Sequence, residues 1–420
     1  MDWNLNLTLF AYPFLFAAIY FEAFLLVTFL SRPAREMRDR VQSTSTPMVA
    51  IVVPCYNEAR TVAGTAKSLL ALDYPADKLS VVLVNDGSTD ETATVMEQFA
   101  SHPQVTVIHQ KNGGKHTGLN AGIAASPNAD LIGCLDADSF VEPDSLKEMI
   151  SCFDDPKVGA ATAAMSVDKP KNVLERMQNA EYILGIALRH ILAAVNGIYV
   201  TPGPFSLYRR STLQELGGFR NGYNTEDMEM ALRIQRAGLV IDSATKARVF
   251  TKTPRSVRSL VKQRVRWTTG FLRNMLYDYR DLIGNPRYGA LGLIVLPLGF
   301  FAILGGILMF GIFIYQTLAS GIKTILIASG VPIDYTLSSM VPNVAAIEWF
   351  YFPVTLFALL AVVAIVGSIM FIVVGKRISK TPGGLGVGIL GYLLVYGLIA
   401  PLWLIGSVAD VATNTRRAWR

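Results

Sequence analysis

Residues 131–139 read "LIGCLDADS". Five apolar residues stop abruptly at two aspartates one residue apart. A short apolar run bounded by polar residues suits a strand buried on both faces. In extended backbone, side chains i and i+2 share a face. Asp136 and Asp138 therefore project together just beyond the strand. Two carboxylates on one face repel unless a cation lies between them. A hard divalent ion, Mg2+ or Mn2+, held by carboxylate and phosphate oxygens, removes that repulsion. A solvated turn or helix cap is the plainer alternative for an isolated Asp-x-Asp.

The same pattern recurs upstream. "VAIVVP" (49–54), "LSVVLV" (79–84) and "VTVIH" (105–109) read as short β-branched strands, with helical stretches at 59–71, 91–100 and 116–126. Such alternation predicts parallel βαβ units covered on both sheet faces. Ligands of these sheets sit beyond the carboxyl ends of the strands. The segments found there are "CYNE" (55–58), "NDGSTD" (85–90), "QKNGGKH" (110–116) and "DADS" (136–139). All are polar and three of them carry carboxylates, so a binding edge is expected where they converge.

Each segment also has a plain local reading. Gly87 suits a turn with positive φ, and Ser88–Asp90 can cap the next helix, which leaves Asp86 for a base or ribose. The paired glycines before Lys115 let backbone N–H groups approach an anion, and the lysine adds charge. Farther on, "TED" (225–227) opens a helix: Thr225 is the expected cap, and Asp227 is a candidate general base. "TPGPFSLYRR" (201–210) is either a substrate wall or a turn into a strand.

"QRVRW" (263–267) lies in a segment with Val257, Leu260, Val261, Val265, Leu272 and Leu276 at approximately helical spacing. Arg255, Arg258, Lys262, Arg264, Arg266 and Arg273 make it basic. That pattern predicts an amphipathic helix on anionic lipid. A sharper reading adds Arg266 bonding to phosphate and Trp267 stacking on a flat ring.

Composition sets the wider frame. The chain has 420 residues and is 51% hydrophobic; its mean hydropathy is +0.37. The excess is concentrated at 8–30, 289–316, 350–374 and 386–409. Each run approaches or exceeds the roughly 20 residues a helix needs to cross a bilayer. An integral membrane protein with one large soluble insertion is expected. Arg32, Arg35, Arg38 and Arg40 follow the first run, which by the positive-inside rule places the insertion in the cytoplasm. No Lys or Arg precedes that run, and it is long for a signal peptide. Cys55, Cys134 and Cys152 lack metal or redox spacing and fit a reducing compartment. The net charge of +6 reads as membrane-surface basicity near Arg255–Arg273, and no nucleic-acid motif accompanies it.

At the other end, Lys376, Arg377 and Lys380 lie on one side of the last run and Arg416, Arg417 and Arg420 on the other. Both cannot obey the rule if that run spans simply. Pro401 marks a possible break, and 318–349 a possible further crossing. Glu22, inside the first run, has either a specific role or a protein-lined surrounding.

Taken in order, "NDGSTD", "DADS", "TED" and "QRVRW", on one α/β domain followed by apolar helices, resemble the processive family-2 glycosyltransferases. These are membrane synthases of hyaluronan, cellulose, chitin oligomers and poly-N-acetylglucosamine. The resemblance covers 47–270 and implies a GT-A fold with a Rossmann-like, mostly parallel sheet. It implies a transmembrane helix at 1–31, the catalytic domain at 32–253, interfacial helices with the Gln-x-x-Arg-Trp box at 254–286 and a transmembrane region at 287–420. Matched residue by residue, Asp86 would contact uracil or ribose and Lys115 would lie beside the nucleotide. Asp136 and Asp138 would serve the metal and diphosphate, and Asp227 would be the base. Gln263, Arg266 and Trp267 would hold the donor diphosphate and acceptor sugar.

The implied activity is inverting transfer from a UDP-sugar, UDP-N-acetylglucosamine by preference, to a growing β-linked polysaccharide coupled to its translocation. The implied setting is a prokaryotic plasma membrane, with an accessory protein or oligomer compatible. Transfer to a membrane lipid and a non-catalytic nucleotide-sugar sensor are the competing readings. Two features depart from the family pattern. Asn85 stands where a first aspartate is usual, and the membrane portion is lean for a pore-forming synthase.

Overall fold

A computed structural model describes residues 10–31, 45–328, 330 and 356–415. Arg32, Arg35, Arg38, Arg40, Arg416, Arg417 and Arg420 fall outside these residues, as does most of 318–349. The orientation reading and the further crossing rest on them.

Eight strands form one sheet: β1 Val49–Cys55, β2 Leu79–Asp86, β3 Val105–Gln110, β4 Leu131–Leu135, β5 Ser139–Val141, β6 Val158–Val167, β7 Pro204–Arg209 and β8 Val240–Thr251. Their order is β3-β2-β1-β4-β7-β6-β8-β5. The first four are the strands expected from sequence, and they pair in parallel. Beyond β4 the sheet is mixed: β7 runs antiparallel to β4 and β6, β8 is parallel to β6, and β5 is antiparallel to β8. Every residue of β1, β4 and β6 is buried, as a strand covered on both faces must be. Helices Val62–Leu70, Thr92–Glu97 and Lys115–Ala124 occupy the expected intervals.

The binding edge arises where β1 and β4 part. Their ladder ends at Val52↔Cys134, while β1 continues beside β2 as far as Cys55↔Asn85. Pro54 sits just past the split. It has no N–H to donate, so a position with only one strand neighbour suits it. β7 re-enters at this edge, with Pro204 paired to Leu135. The ends of β1, β2, β3 and β4 and the start of β7 therefore meet at a topological switch point.

Among the described residues, four helices are long and apolar enough to cross a membrane: Tyr12–Leu30, Leu291–Leu326, Leu356–Ser379 and Gly386–Ala412. Pro401 does not break the last one; the helix runs through it. Neighbouring segments can satisfy the group a proline frees, so such helices tolerate it. Glu22 faces a neighbouring apolar helix: its Oε1 accepts from Ser368 Oγ at 3.0 Å. The missing side chain of Gly367 leaves room for its carboxylate.

A long helix, Val173–Ala193, packs between the sheet and the last two of these apolar helices. It begins with a capping box in which Asn172 accepts from Glu175 N at 2.8 Å and Glu175 returns a bond to Asn172 N at 3.1 Å. Apolar helices dock on it through glycines. A Cβ at Gly388 would lie 2.5 Å from Arg176 O, and one at Gly375 would overlap Ile183 O. Backbone oxygen cannot step aside as a side chain can. Gly375→Ala is therefore expected to destabilise the protein by roughly 1–3 kcal/mol, the usual cost of overpacking. Gly311, with nothing near its Cβ position, is the control. Thermal unfolding in detergent should separate the two, and equal midpoints would remove the argument for close docking.

Candidate active site

β2 ends at Asp86, which is 2% exposed. Its Oδ1 accepts from Gln110 Nε2 at 2.6 Å and Gly113 N at 3.0 Å, and its Oδ2 from Gly114 N at 2.9 Å. The carboxylate thus ties down the glycine-rich loop and lies behind it, away from the residues that line the central cleft. Gly87 has the positive φ expected of it, 68°. Asp90 bonds Thr92 N at 3.0 Å, which fits its role at the start of the helix.

Lys115 opens the Lys115–Ala124 helix. Its ammonium does not face open solvent. Nζ lies 2.6 Å from Asp136 Oδ1 and 3.0 Å from Glu226 Oε1. The "TPGP" turn presses bare backbone against this pair: a Cβ at Gly203 would stand 2.6 Å from Lys115 Nζ and 2.7 Å from Asp136 Oδ2. The turn is both a wall of the cleft and the entry to β7. Thr201 adds a brace, donating to Asp227 O at 2.8 Å while accepting from Tyr208 OH at 2.8 Å.

Asp138 shares the cleft wall with Asp136 in different company. Its Oδ1 accepts from Ser139 Oγ at 3.3 Å and Thr251 Oγ1 at 3.4 Å. Among the described residues no three His, Cys, Asp or Glu side chains form a ready metal cage. One or two carboxylates, with phosphate and water completing the shell, is nevertheless how Mg2+ is ordinarily bound. The hard oxygen of Asp138 fits that donor set. Asp136, held by Lys115, fits it less directly.

The "TED" helix corrects one expectation. Thr225 precedes Glu226–Arg236, but its side chain makes no capping bond. Its Oγ1 donates to Gly222 O at 2.5 Å and accepts from Asn274 Nδ2 at 3.1 Å. The hydroxyl is turned away because Gly270, in the helix carrying "QRVRW", packs directly on it. A Cβ at Gly270 would come within 2.5 Å of Thr225 Oγ1. Gly270→Ala is expected to destabilise the protein by roughly 1–3 kcal/mol. Adding Thr225→Ala should restore much of that stability in unfolding assays; no rescue would mean the contact does not matter.

Glu226 and Asp227 have opposite electrostatic fates. Burial opposes ionisation of Glu226, yet the Lys115 ammonium holds its pKa below the ordinary carboxylate value. For Asp227, burial and then the neighbouring Glu226 charge push the pKa up to about 6, against the pull of Lys115. A carboxylate of that kind remains a base near neutrality and takes a proton more readily than an ordinary aspartate.

Helix Val257–Arg273 supplies the facing wall. Ser256 caps it, accepting from Ser259 N at 3.3 Å. Gln263, Arg266 and Trp267 line the cleft together with Lys115, Asp136, Asp138 and Asp227. The expected lipid-facing basic surface is only partly present. Arg255, Arg258 and Lys262 are exposed. Arg264 is buried, pairs with Glu181 Oε2 at 2.6 Å and lies 4.2 Å over the Trp267 ring. Tyr396 OH, from the last apolar helix, donates to the same Glu181 oxygen. Arg273 donates to Asp410 O at 3.0 Å and Thr415 O at 2.9 Å. The apolar face is taken by protein as well, since Leu260 and Val265 pack with Tyr396, Ile399 and Trp403. An exposed helix can give its apolar stripe to lipid; here the last apolar helix has displaced the lipid.

Glu226 reads from sequence only as an acid suited to the helix N-terminus, and Glu181, Tyr396 and Gly270 were not singled out. The capping box at 172–175 flags the helix that bears Glu181. The others have no local signal, because their partners are distant in the chain.

The cleft has a volume of about 1610 Å³ and runs from Pro54, Asp136 and Asp227 to Gly299, Ile303 and Tyr392 of the apolar helices. Its polar end combines buried acids, a lysine, an arginine and an aromatic face. That set can hold a polyanion beside a hydroxyl and accept the hydroxyl's proton.

Residues 47–270 match the family described as Glycosyltransferase like family 2. The chain is 31% identical over 246 residues to the poly-beta-1,6-N-acetyl-D-glucosamine synthase of Staphylococcus aureus, a match covering 57% of this chain and 58% of that protein. The Staphylococcus epidermidis protein of the same name is 31% identical over 245 residues. The match thus spans under two thirds of these relatives. In structure, the chain is similar to a mannosyltransferase of Pyrobaculum calidifontis in complex with GDP-Man and Mn2+, over 98% of each chain, with a TM-score of 0.61 and 18% identity. At that identity the likeness establishes the GT-A-type fold alone.

Proposed function

Because the chain belongs to the family-2 glycosyltransferases, we propose that it transfers a sugar from a UDP-sugar to a growing β-linked polysaccharide at the membrane. The observation that carries this reading is Asp227. It is a buried acid with its pKa raised to about 6, lining one cleft with Lys115, Asp138, Arg266 and Trp267.

In the proposed reaction, Asp227 takes the proton of the acceptor hydroxyl as that oxygen attacks the anomeric carbon in line. The UDP leaving group departs from the opposite face, so one displacement inverts the centre. Arg266 bonds the diphosphate, with Gln263 beside it, and Trp267 stacks on the acceptor sugar. Lys115 keeps Glu226 ionised and orients Asp136 toward the nucleotide; Asp86 shapes the loop beneath it. Asp138 is the residue that would hold Mg2+ or Mn2+, which when bound neutralises charge on the diphosphate. The extension of the cleft to Gly299 and Ile303 supports product leaving along the apolar helices.

UDP-N-acetylglucosamine is the preferred donor, in keeping with the name of the staphylococcal relatives. The membrane-spanning arrangement, with the catalytic domain on the cytoplasmic side of a prokaryotic plasma membrane, belongs to the same proposal. The test is a panel of UDP- and GDP-sugars given to the purified full-length protein in detergent, read by nucleotide release and by digestion of the product with linkage-specific hydrolases. The greatest release should come with UDP-N-acetylglucosamine, together with a polymer on a gel. No release with any donor would reject transfer; a single-sugar lipid product would reject polymerisation.

A further inference from the structure

Trp267, the acceptor platform of the proposed reaction, has a backing group of its own. Arg264 and Trp267 are three residues apart on helix Val257–Arg273, so their side chains are neighbours on its surface. The guanidinium lies 4.2 Å from the ring centre, the shortest cation–ring contact among the described residues. One face of the ring is therefore covered by protein, while the ring still lines the cleft. What Trp267 presents to the cleft depends on where Arg264 stands.

Arg264 in turn is held by residues from two other elements. Its Nη2 donates to Glu181 Oε2 at 2.6 Å, and the Tyr396 hydroxyl donates to the same oxygen. Glu181 lies on the Val173–Ala193 helix and Tyr396 on the last apolar helix, so three helices meet at one carboxylate. Tyr396 has little freedom of its own: it packs on Tyr392 at 5.1 Å and edge-on against Trp403 at 5.3 Å. Ser407 donates to Val265 O at 3.3 Å, which ties the last helix to the Gln-x-x-Arg-Trp helix beside this contact. A structural tether needs only an ion pair, as Arg233 has with Glu229. Here the ion pair also fixes a flat cation against the ring. Lys115, Asp136 and Glu226 form a separate cluster at the donor end of the cleft.

We propose that Glu181 and Tyr396 are positioning residues that set the Trp267 ring for the acceptor sugar, acting through Arg264. The inference rests on the cleft being the site of sugar transfer, with Trp267 as the acceptor platform. Stacking depends on the orientation of the ring, and a ring already held in place gives up less entropy when the sugar arrives. Handling of the acceptor should therefore separate from handling of the donor.

The test uses the full-length protein in detergent, with UDP-N-acetylglucosamine as donor and a β-1,6-linked N-acetylglucosamine pentasaccharide as acceptor probe. Glu181→Gln keeps the size of the side chain and removes its charge; Tyr396→Phe keeps the ring and removes the hydroxyl. Glu181→Gln should raise KM for the pentasaccharide about three- to tenfold, the range of one cation–ring or hydrogen-bonded contact, and Tyr396→Phe should raise it by less. KM for the donor and the pH profile should stay at wild type in both. Trp267 emission, taken in each protein as the difference from its Trp267→Phe counterpart, should become more readily quenched by acrylamide. Donor and acceptor KM rising together would mark a merely structural role and overturn the proposal. So would an unchanged KM for the pentasaccharide, or Trp267 emission that neither variant alters. Should Glu181→Gln not fold, Tyr396→Phe decides alone. No UDP release by the wild type with any donor would reject the transfer reading, while the emission comparison would still judge the network.

Discussion

Asp227→Asn is expected to lower sugar transfer by about 10²–10⁴-fold while leaving UDP affinity close to wild type. The substitution preserves shape and removes only the ability to take a proton. Asp227 lines the cleft, and its backbone is fixed by Thr201 at 2.8 Å, so the amide should occupy the same place. The wild type makes a matching prediction with pH. The base works when ionised, and burial with the Glu226 charge raises its pKa to about 6. Activity should therefore be level above that value and fall about tenfold per unit below it. Glu226→Gln removes a charge that raises the Asp227 pKa, so the acid limb should move to lower pH. Initial rates of UDP release across pH check all three. Near-wild-type turnover by Asp227→Asn would reject the base assignment.

Lys115→Met should have the largest effect on stability. It leaves Asp136 and Glu226 without the ammonium that lies 2.6 and 3.0 Å away, and both contacts are well inside the protein. Removing one partner of a buried ion pair typically costs about 3–5 kcal/mol. The pH dependence fixes the cause. In the wild type the Glu226 pKa is held low, so its contribution is present above the ordinary carboxylate range and is lost as pH falls through the folded value. The Lys115 pKa is raised, so its contribution is present at neutral pH and is lost only as pH rises through that higher value. Without the lysine, burial dominates and Glu226 should be raised instead. The variant should then gain more stability than the wild type on mild acidification, because Glu226 joins Asp227 in taking up a proton more readily folded than unfolded. Its acid limb of activity should shift upward, since Lys115 also lowers the Asp227 pKa. Thermal unfolding in detergent at several pH values measures the first effect. A variant with a wild-type midpoint at neutral pH would show that the ion pairs contribute little.

The parallel half of the sheet was legible because β1, β2, β3 and β4 are short apolar runs with polar ends, a strictly local pattern. Of the other half only β7 was foreshadowed, as a turn into a strand at 201–210. β6 reads "VGAATAAMSV", where alanines mask the β-branched signal, and β8 reads "VIDSATKARVFT", where polar residues interrupt it. Those strands exist because tertiary pairing overrides weak propensity. The Thr225 cap failed for a related reason. The residue type suits a cap, but Gly270 brings another helix onto its hydroxyl. The lipid-facing reading of the "QRVRW" helix gave way where Tyr396, Ile399 and Trp403 took its apolar stripe.

By itself the sequence determined which residues would end strands, which runs were apolar enough to span a bilayer, and that several acids would crowd one sheet edge. Those properties depend on backbone periodicity and local hydrophobicity, which neighbours in the chain express directly. Only the folded arrangement decided that Lys115 would sit between Asp136 and Glu226, and that Asp86 would hold a loop. Charges act through space and burial, and their partners come from helices far apart in the chain. The chemistry of each ionisable group was therefore settled when the elements packed.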